Sequence, residues 1–258
     1  VQRRKWRHCP IQLTTVRTLS KLIGLLQVDS TVGNLVGNAN RIERLASIAK
    51  ENGAAMAVST ELAISGYPPR DLLLQPDFIR ACHDTASTLE SVIPILVGTP
   101  VPSVGERSLP GNGVVRAGDS VREVTRKQLL PTYDVFDEAR YFESGKGPGI
   151  ARTIAGLDIG VTICEDAWQH CGATPNDYDS DPILHIVEWG RQGVVLDATV
   201  NLSASPYHAD KSSIRVEVAR SAAASLNHPF LLANQVGAND DLLFDGRSII
   251  AWPDGTAV

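Results

Sequence analysis

Aromatic side chains make up only 5% of the 258 residues, methionine occurs once and cysteine four times. The cysteines, Cys9, Cys82, Cys164 and Cys171, have no C-x-x-C spacing. That argues against a zinc knuckle or a disulfide framework and predicts no metal site, in a reducing, cytoplasmic setting. No apolar run reaches the ~18 residues that cross a bilayer, and no secretory apolar core is present. Positive charge is not in excess: 24 Lys and Arg face 29 Asp and Glu, a net charge of -5. With the basic residues dispersed, a dedicated nucleic-acid or membrane-surface role is disfavoured, which leaves a small molecule or another protein as partner. The glycine-rich stretch 145–149 lacks the G-x-x-x-x-G-K-[ST] pattern of a phosphate loop and reads as a turn. Repeats and low-complexity linkers are absent as well.

What is present is 43% hydrophobic composition, enough for a large core, arranged as β-like runs alternating with helix-like stretches. The spacing predicts strands over 22–28, 54–59, 92–98, 121–126, 156–164, 193–200, 230–234 and 248–251. Helices are predicted over 34–51, 71–89, 183–189 and 212–226. The Pro-, Gly- and Ser-rich stretch 99–119 reads as loop or hairpins, 136–148 as an ordered loop, and a Gly-Asn-Asp loop precedes the last strand. One αβ domain is the simplest reading. Residues 1–20, with Arg3, Arg4, Lys5 and Arg7 clustered, read as a disordered extension rather than a targeting or anion-binding arm.

Three of these strands end in residues with chemistry to offer. The run GVTICEDAW carries Cys164 at the end of an apolar strand, Glu61 follows the strand at 54–59, and Lys127 follows the strand at 121–126. A free thiol has a pKa of roughly 8.5 and needs a base or a cation to act as a nucleophile. Glu61 and Lys127 supply one of each. The competing readings are a buried structural cysteine, a structural Glu61 and Lys127 ion pair, an Asp166 that only fixes its turn, a spectator Cys171, and a Cys/His pair using His208.

The residues carry a resemblance. Thr60-Glu61 with the following run GYPPRDLLL, beginning at Gly66, resembles the glutamate motif of the nitrilase (carbon-nitrogen hydrolase) superfamily; KQLLP at Lys127 resembles its lysine motif and ICEDAW at Ile163 its cysteine motif. The longer runs KQLLPTYDVFDEARYF, NLSASPYHADK and NQVGANDDLLFDGRS resemble the branch that forms the glutamine-hydrolysing domain of glutamine-dependent NAD synthetases. The resemblance implies a four-layer αββα sandwich over 21–258 and a glutamine amidohydrolase that forms a cysteine thioester. In it Cys164 would be the nucleophile, Glu61 the base, and Lys127 with the Glu165 N-H the oxyanion donors. Glu138 would be the second glutamate, and Tyr133, Glu165, Trp168, Ser203 and Ser205 the glutamine pocket. The family uses glutamate as its base, which disfavours His208.

The resemblance also implies no cofactor in this domain, ATP and magnesium being needed only by a synthetase domain whose SGGxDS-type motif is absent here. The chain would stop short of the last amidase elements. A synthetase domain or subunit would accept the ammonia, and the protein would form a homo-oligomer. Ser59-Thr60 replaces a proline common before the glutamate, and Ala167 replaces a bulkier residue. The alternatives are a stand-alone amidase for another ω-amide or carbamoyl compound, and a catalytically silent scaffold.

Overall fold

The computed structural model describes residues 14–18, 21–103, 105 and 108–258. In chain order it contains β1 Thr14–Thr18, β2 Lys21–Leu25, α1 Leu35–Glu51, β3 Ala54–Val58, α2 Pro76–Ser87, β4 Ile95–Val101, β5 Gly111–Ala117 and β6 Arg122–Arg126. There follow β7 Gly149–Ile154, β8 Leu157–Ile163, α3 Pro182–Arg191, β9 Ala198–Ser203, α4 Lys211–Leu226, β10 Phe230–Asn234, β11 Val236–Asn239, β12 Leu242–Asp245 and β13 Ile249–Ala251. One sheet has the order β1-β2-β3-β4-β5-β6, and a second has β13-β10-β9-β8-β7. In each sheet the central three strands are parallel, β2-β3-β4 and β8-β9-β10, with antiparallel strands outside them.

Strand alternation builds the layers. Met56, Val58 and Leu96 from the first sheet meet Ile159, Val161, Ile163, Val200, Leu202 and Leu231 from the second, forming the core between the sheets. The opposite faces of the same strands are also apolar: Ala57, Ile95 and Val97 pack under α1 and α2, and Phe230, Leu232 and Ile249 pack under α3 and α4. Strands buried on both faces need helices on both sides, and the outcome is the expected αββα sandwich.

Several boundaries differ from the sequence reading, for physical reasons. The second helix starts at Pro76 rather than 71, because proline fits the first helical turn, and Arg70–Leu74 form a separate 3₁₀ turn. The stretch expected as loop or hairpins contains β5, buried along its whole length. Its glycines are there for space: a Cβ on Gly113 would lie 2.8 Å from the Val101 methyls, and one on Gly111 2.7 Å from Arg126 Cδ. The strand expected at 193–200 is β9, displaced toward its C-terminus, and the loop expected before the last strand holds the β11–β12 hairpin. β7 went unread. Within the expected extension at 1–20, the β-branched run Thr14–Thr18 pairs antiparallel with β2; that expectation otherwise falls on 1–13 and 19–20, outside the described residues.

Candidate active site

Parallel strands gather chemistry at their C-terminal ends, and here two sheets contribute ends to one place. Glu61 lies in the turn after β3, fully buried. A carboxylate so placed needs donors. Its Oε1 accepts from Lys127 Nζ at 2.8 Å and from Asn112 Nδ2 at 2.7 Å, and its Oε2 accepts from the Ala204 N-H, just beyond β9, at 3.0 Å. Lys127, the first residue after β6, makes a second 2.8 Å bond to Glu138 Oε1, which also accepts from the Tyr67 hydroxyl at 2.8 Å. Burial alone would lower the lysine pKa, but the Glu138 and Glu61 carboxylates outweigh it and hold the ammonium well above its usual range. Burial pushes Glu138 up to about 7, against the pull of Lys127.

Cys164 opens the 3₁₀ turn Cys164–Ala167 directly after β8, with φ of 45°. A non-glycine residue held left-handed costs about 1–3 kcal/mol and persists where its surroundings fix it. Asn201 helps to do so, its Nδ2 donating to the Cys164 carbonyl at 3.2 Å. Burial pushes the thiol well above its ordinary pKa, Glu61 adds to this and Lys127 opposes it. Lys127 favours the thiolate, but burial and Glu61 together outweigh it. Two carboxylates flank the one ammonium, so the resting sulfur keeps its proton.

Around this centre, Tyr133 and Tyr178 donate to Glu165 Oε1 at 2.7 and 3.3 Å. Lys211, at the start of α4, sits with Nζ 5.3 Å from the Trp168 ring centroid and 5.7 Å from that of Phe136, and among the described residues it makes no ion pair. Burial lowers its pKa. Ser203 and Ser205 are buried at and just after the end of β9; the Ser203 hydroxyl lies beside the Cys164 sulfur and draws its pKa down against the effect of burial, while the Ser205 hydroxyl has no hydrogen-bond partner among the described residues. Asp166 does more than fix its own turn: Oδ2 accepts from the Ile163 N-H at 3.0 Å, while Oδ1 accepts from the N-H groups of Gln128 and Leu129 at 3.0 and 2.9 Å. One carboxyl thus ties the cysteine segment to the lysine segment.

Residues 22–258 match the carbon-nitrogen hydrolase family. The chain belongs to that family. As a carbon-nitrogen hydrolase it is similar to glutamine-dependent NAD(+) synthetases of Synechocystis sp., 37% identical over 92% of this chain and 43% of the relative, and of Xanthomonas campestris pv. campestris, 35% identical over 91% and 40%. It therefore spans about two-fifths of the length of these curated relatives. Among solved structures it resembles the glutamine-dependent NAD+ synthetase of Acinetobacter baumannii, with a TM-score of 0.76, 28% identity and coverage of 91% of this chain and 42% of that one. An amidase from Nesterenkonia sp. shares the fold, with a TM-score of 0.72, 19% identity and coverage of 94% and 86%. The hydrolase is accordingly an enzyme of the class that cleaves carbon–nitrogen bonds.

The structure brings Glu61, Lys127, Cys164 and Glu138 into one buried cluster and sets Tyr133, Glu165, Trp168, Ser203 and Ser205 around it. Sequence reasoning missed Asn112, Tyr67, Tyr178 and Lys211. Tyr67 and Lys211 lie inside the quoted motifs, where they could have been found; Asn112 lies in the stretch 99–119 that reads as loop or hairpins, and Tyr178 in a polar interval over 172–181. His208 is exposed, its Nδ1 2.7 Å from the Ala209 carbonyl oxygen. Cys171 points its thiol at the Trp168 carbonyl, 3.6 Å away. A second hydrogen-bonded array joins Ser225, His170 and Asp181, at 2.7 and 2.9 Å. It serves packing: Asp181 caps α3, and Ser225 lies in the last turn of α4, where its amide belongs to the helix and cannot hold an oxyanion. Among the described residues no three His, Cys, Asp or Glu side chains gather as a metal site, and no helix is long and apolar enough to cross a membrane.

Proposed function

We propose that the chain is a glutamine amidohydrolase that releases ammonia from the side-chain amide through a Cys164 thioester. The observation that carries this reading is the buried Glu61–Lys127–Glu138 cluster, with Lys127 Nζ 2.8 Å from each carboxylate, set beside the buried Cys164 thiol. Glu61 takes the thiol proton as sulfur adds to the amide carbon, and the carbonyl electrons move onto oxygen. Lys127 Nζ and the Glu165 N-H, a first-turn donor with no acceptor inside its turn, hold that oxyanion. Collapse expels the nitrogen, which takes the proton from Glu61 and leaves as ammonia. Water then gives a proton to Glu61 and adds to the thioester, and the proton returns to sulfur as glutamate departs.

Glutamine is the substrate the surroundings support. The Lys211 ammonium, which makes no ion pair among the described residues, and the Glu165 carboxylate, held by Tyr133 and Tyr178, offer opposite charges to the zwitterionic end of an amino acid, and Ser205 offers a free hydroxyl to the substrate. No cofactor enters these steps. The likeness to glutamine-dependent NAD(+) synthetases supports delivery of the ammonia to a synthetase domain or subunit. On this reading that synthetase amidates an NAD precursor with ATP and magnesium, and the chain assembles as a homo-oligomer. Dependence on a reduced Cys164 suits the cytoplasm.

An amide panel tests the proposal. Glutamine should be hydrolysed with the highest kcat/KM, and glutaramate, which lacks only the α-ammonium, should lose ~10-fold or more, the equivalent of one charge-assisted contact of about 1.5–3 kcal/mol. A preference for glutaramate, a carbamoyl compound or a simple aliphatic amide would replace glutamine with another ω-amide and make the enzyme a stand-alone amidase. Inertness toward every amide, with Cys164 unlabelled by a thiol-reactive glutamine analogue, would favour a silent scaffold.

A further inference from the structure

We infer that Asn112 is a positioning residue that fixes the base Glu61 relative to Lys127, an inference that rests on the amide-hydrolase reading above. Asn112 lies on β5, fully buried, and holds both partners at once. Its side-chain Nδ2 donates to Glu61 Oε1 at 2.7 Å, and its main-chain carbonyl accepts from the Lys127 N-H at 2.8 Å. An ionised carboxylate offers about four lone-pair directions and no donor, so only the NH₂ side of the amide can face it. Asn112 and Lys127 occupy Oε1 and the Ala204 N-H occupies one direction of Oε2, which leaves a single direction on Oε2 for the thiol or water proton. The amide does this without charge. A lysine or arginine in its place would further neutralise the base, and an apolar side chain would let the carboxylate turn.

A second observation marks the residue as more than a packing element. Asn112 Oδ1 is buried without a hydrogen-bond partner among the described residues, a state that costs about 1–3 kcal/mol and that an isosteric leucine would avoid. What keeps an amide there is its NH₂ group, which answers Glu61. The titratable groups facing Glu61 are Lys127, Glu138, Tyr67 and Cys164, so loss of Asn112 leaves Glu61 only the Ala204 N-H and a Lys127 that is shared with Glu138.

Asn112→Leu and Asn112→Asp test this, with thermal stability, steady-state kinetics on glutamine, and the pH profile of Cys164 alkylation by iodoacetamide as readouts. Asn112→Leu removes a donor from a buried carboxylate and should lower the thermal midpoint, but kcat per folded molecule should also fall ~10²-fold, the lower end of what a positioned base contributes, with KM changed little. Asn112→Asp places a second carboxylate against Glu61, so the pair holds a proton and alkylation shifts to higher pH. A purely structural role predicts lost stability alone, with kcat per folded molecule and the alkylation profile unchanged. That result, or failure of both variants to fold, overturns the inference. Should the parent hydrolyse no glutamine, the substrate reading fails separately, and the alkylation profiles, which need no substrate, still decide the role of Asn112.

Discussion

Asp166 shows how one side chain can assemble a site without touching a substrate. Its carboxyl oxygens join Ile163, just before the nucleophile, to Gln128 and Leu129, just after the lysine. Burial pushes it up to about 7, although the three N-H donors pull the other way. A carboxyl raised in the fold keeps a proton that the unfolded chain has already released, so the folded state binds more protons between about pH 4 and pH 7 and loses stability as pH climbs through that window. Glu138, pushed up to about 7 by burial, adds in the same direction. Thermal midpoints in a pH series should therefore fall across that window in the parent and fall less steeply in Asp166→Asn. Parallel curves would contradict the assignment. Asp166→Asn should also be less stable overall, because an amide NH₂ turned toward backbone N-H groups leaves a buried donor unanswered.

At the level of elements, the positions that matter are those where two segments meet without room to spare. Gly98 on β4 lies beneath the Glu61 turn: a Cβ there would stand 2.3 Å from the Thr60 carbonyl oxygen and 2.9 Å from Glu61 Cα, both backbone atoms. Gly98→Ala should cost about 1–3 kcal/mol by overpacking and, by displacing Glu61, lower kcat more than it raises KM. An active, equally stable Gly98→Ala would show that the turn yields. Arg215 of α4, fully buried, donates to the Gly246 carbonyl at 2.9 Å and to Asp245 at 2.5 Å, fastening the β11–β12 hairpin to the helix layer. Arg215→Met leaves the Asp245 carboxylate only its longer ion pair with Arg247, at 3.7 Å, and should cost about 1.5–3 kcal/mol in denaturant unfolding; a change under ~1 kcal/mol would mean that Arg247 and solvent answer Asp245 instead.

These examples also show what the sequence could tell. Glu61, Lys127 and Cys164 each end an apolar or alternating β-like run, so periodicity alone places them at strand ends, and their motifs supply the family. β5 was hidden because Gly111 and Gly113, read as breakers, are there to admit Val101 and Arg126 from neighbouring strands. Asn112 between them shared that fate. Tyr178 sits in a polar interval with no period, and only the fold brings it to Glu165. Contacts made across two sheets leave no trace in local spacing.

For the whole molecule, the two sheets share one apolar interior, and Glu61, Lys127, Glu138 and Cys164 meet at one end of it. Burying these groups against one another is unfavourable unless each is answered, which is why their neighbours Tyr67, Asn112 and Ala204 are as specific as the cluster itself. If assembly follows the likeness to the NAD(+) synthetases, light scattering should give a mass that is a multiple of the 27.7 kDa chain, and a monomer at micromolar concentration would count against a homo-oligomer. The most direct test of the account is glutamate and ammonia release from glutamine by the parent and by Cys164→Ala, a substitution that removes the sulfur from a site whose fold rests on other groups. Equal release of the two products by the parent and none by the variant is the expected result; release that persists in Cys164→Ala would contradict the thioester at the centre of the mechanism.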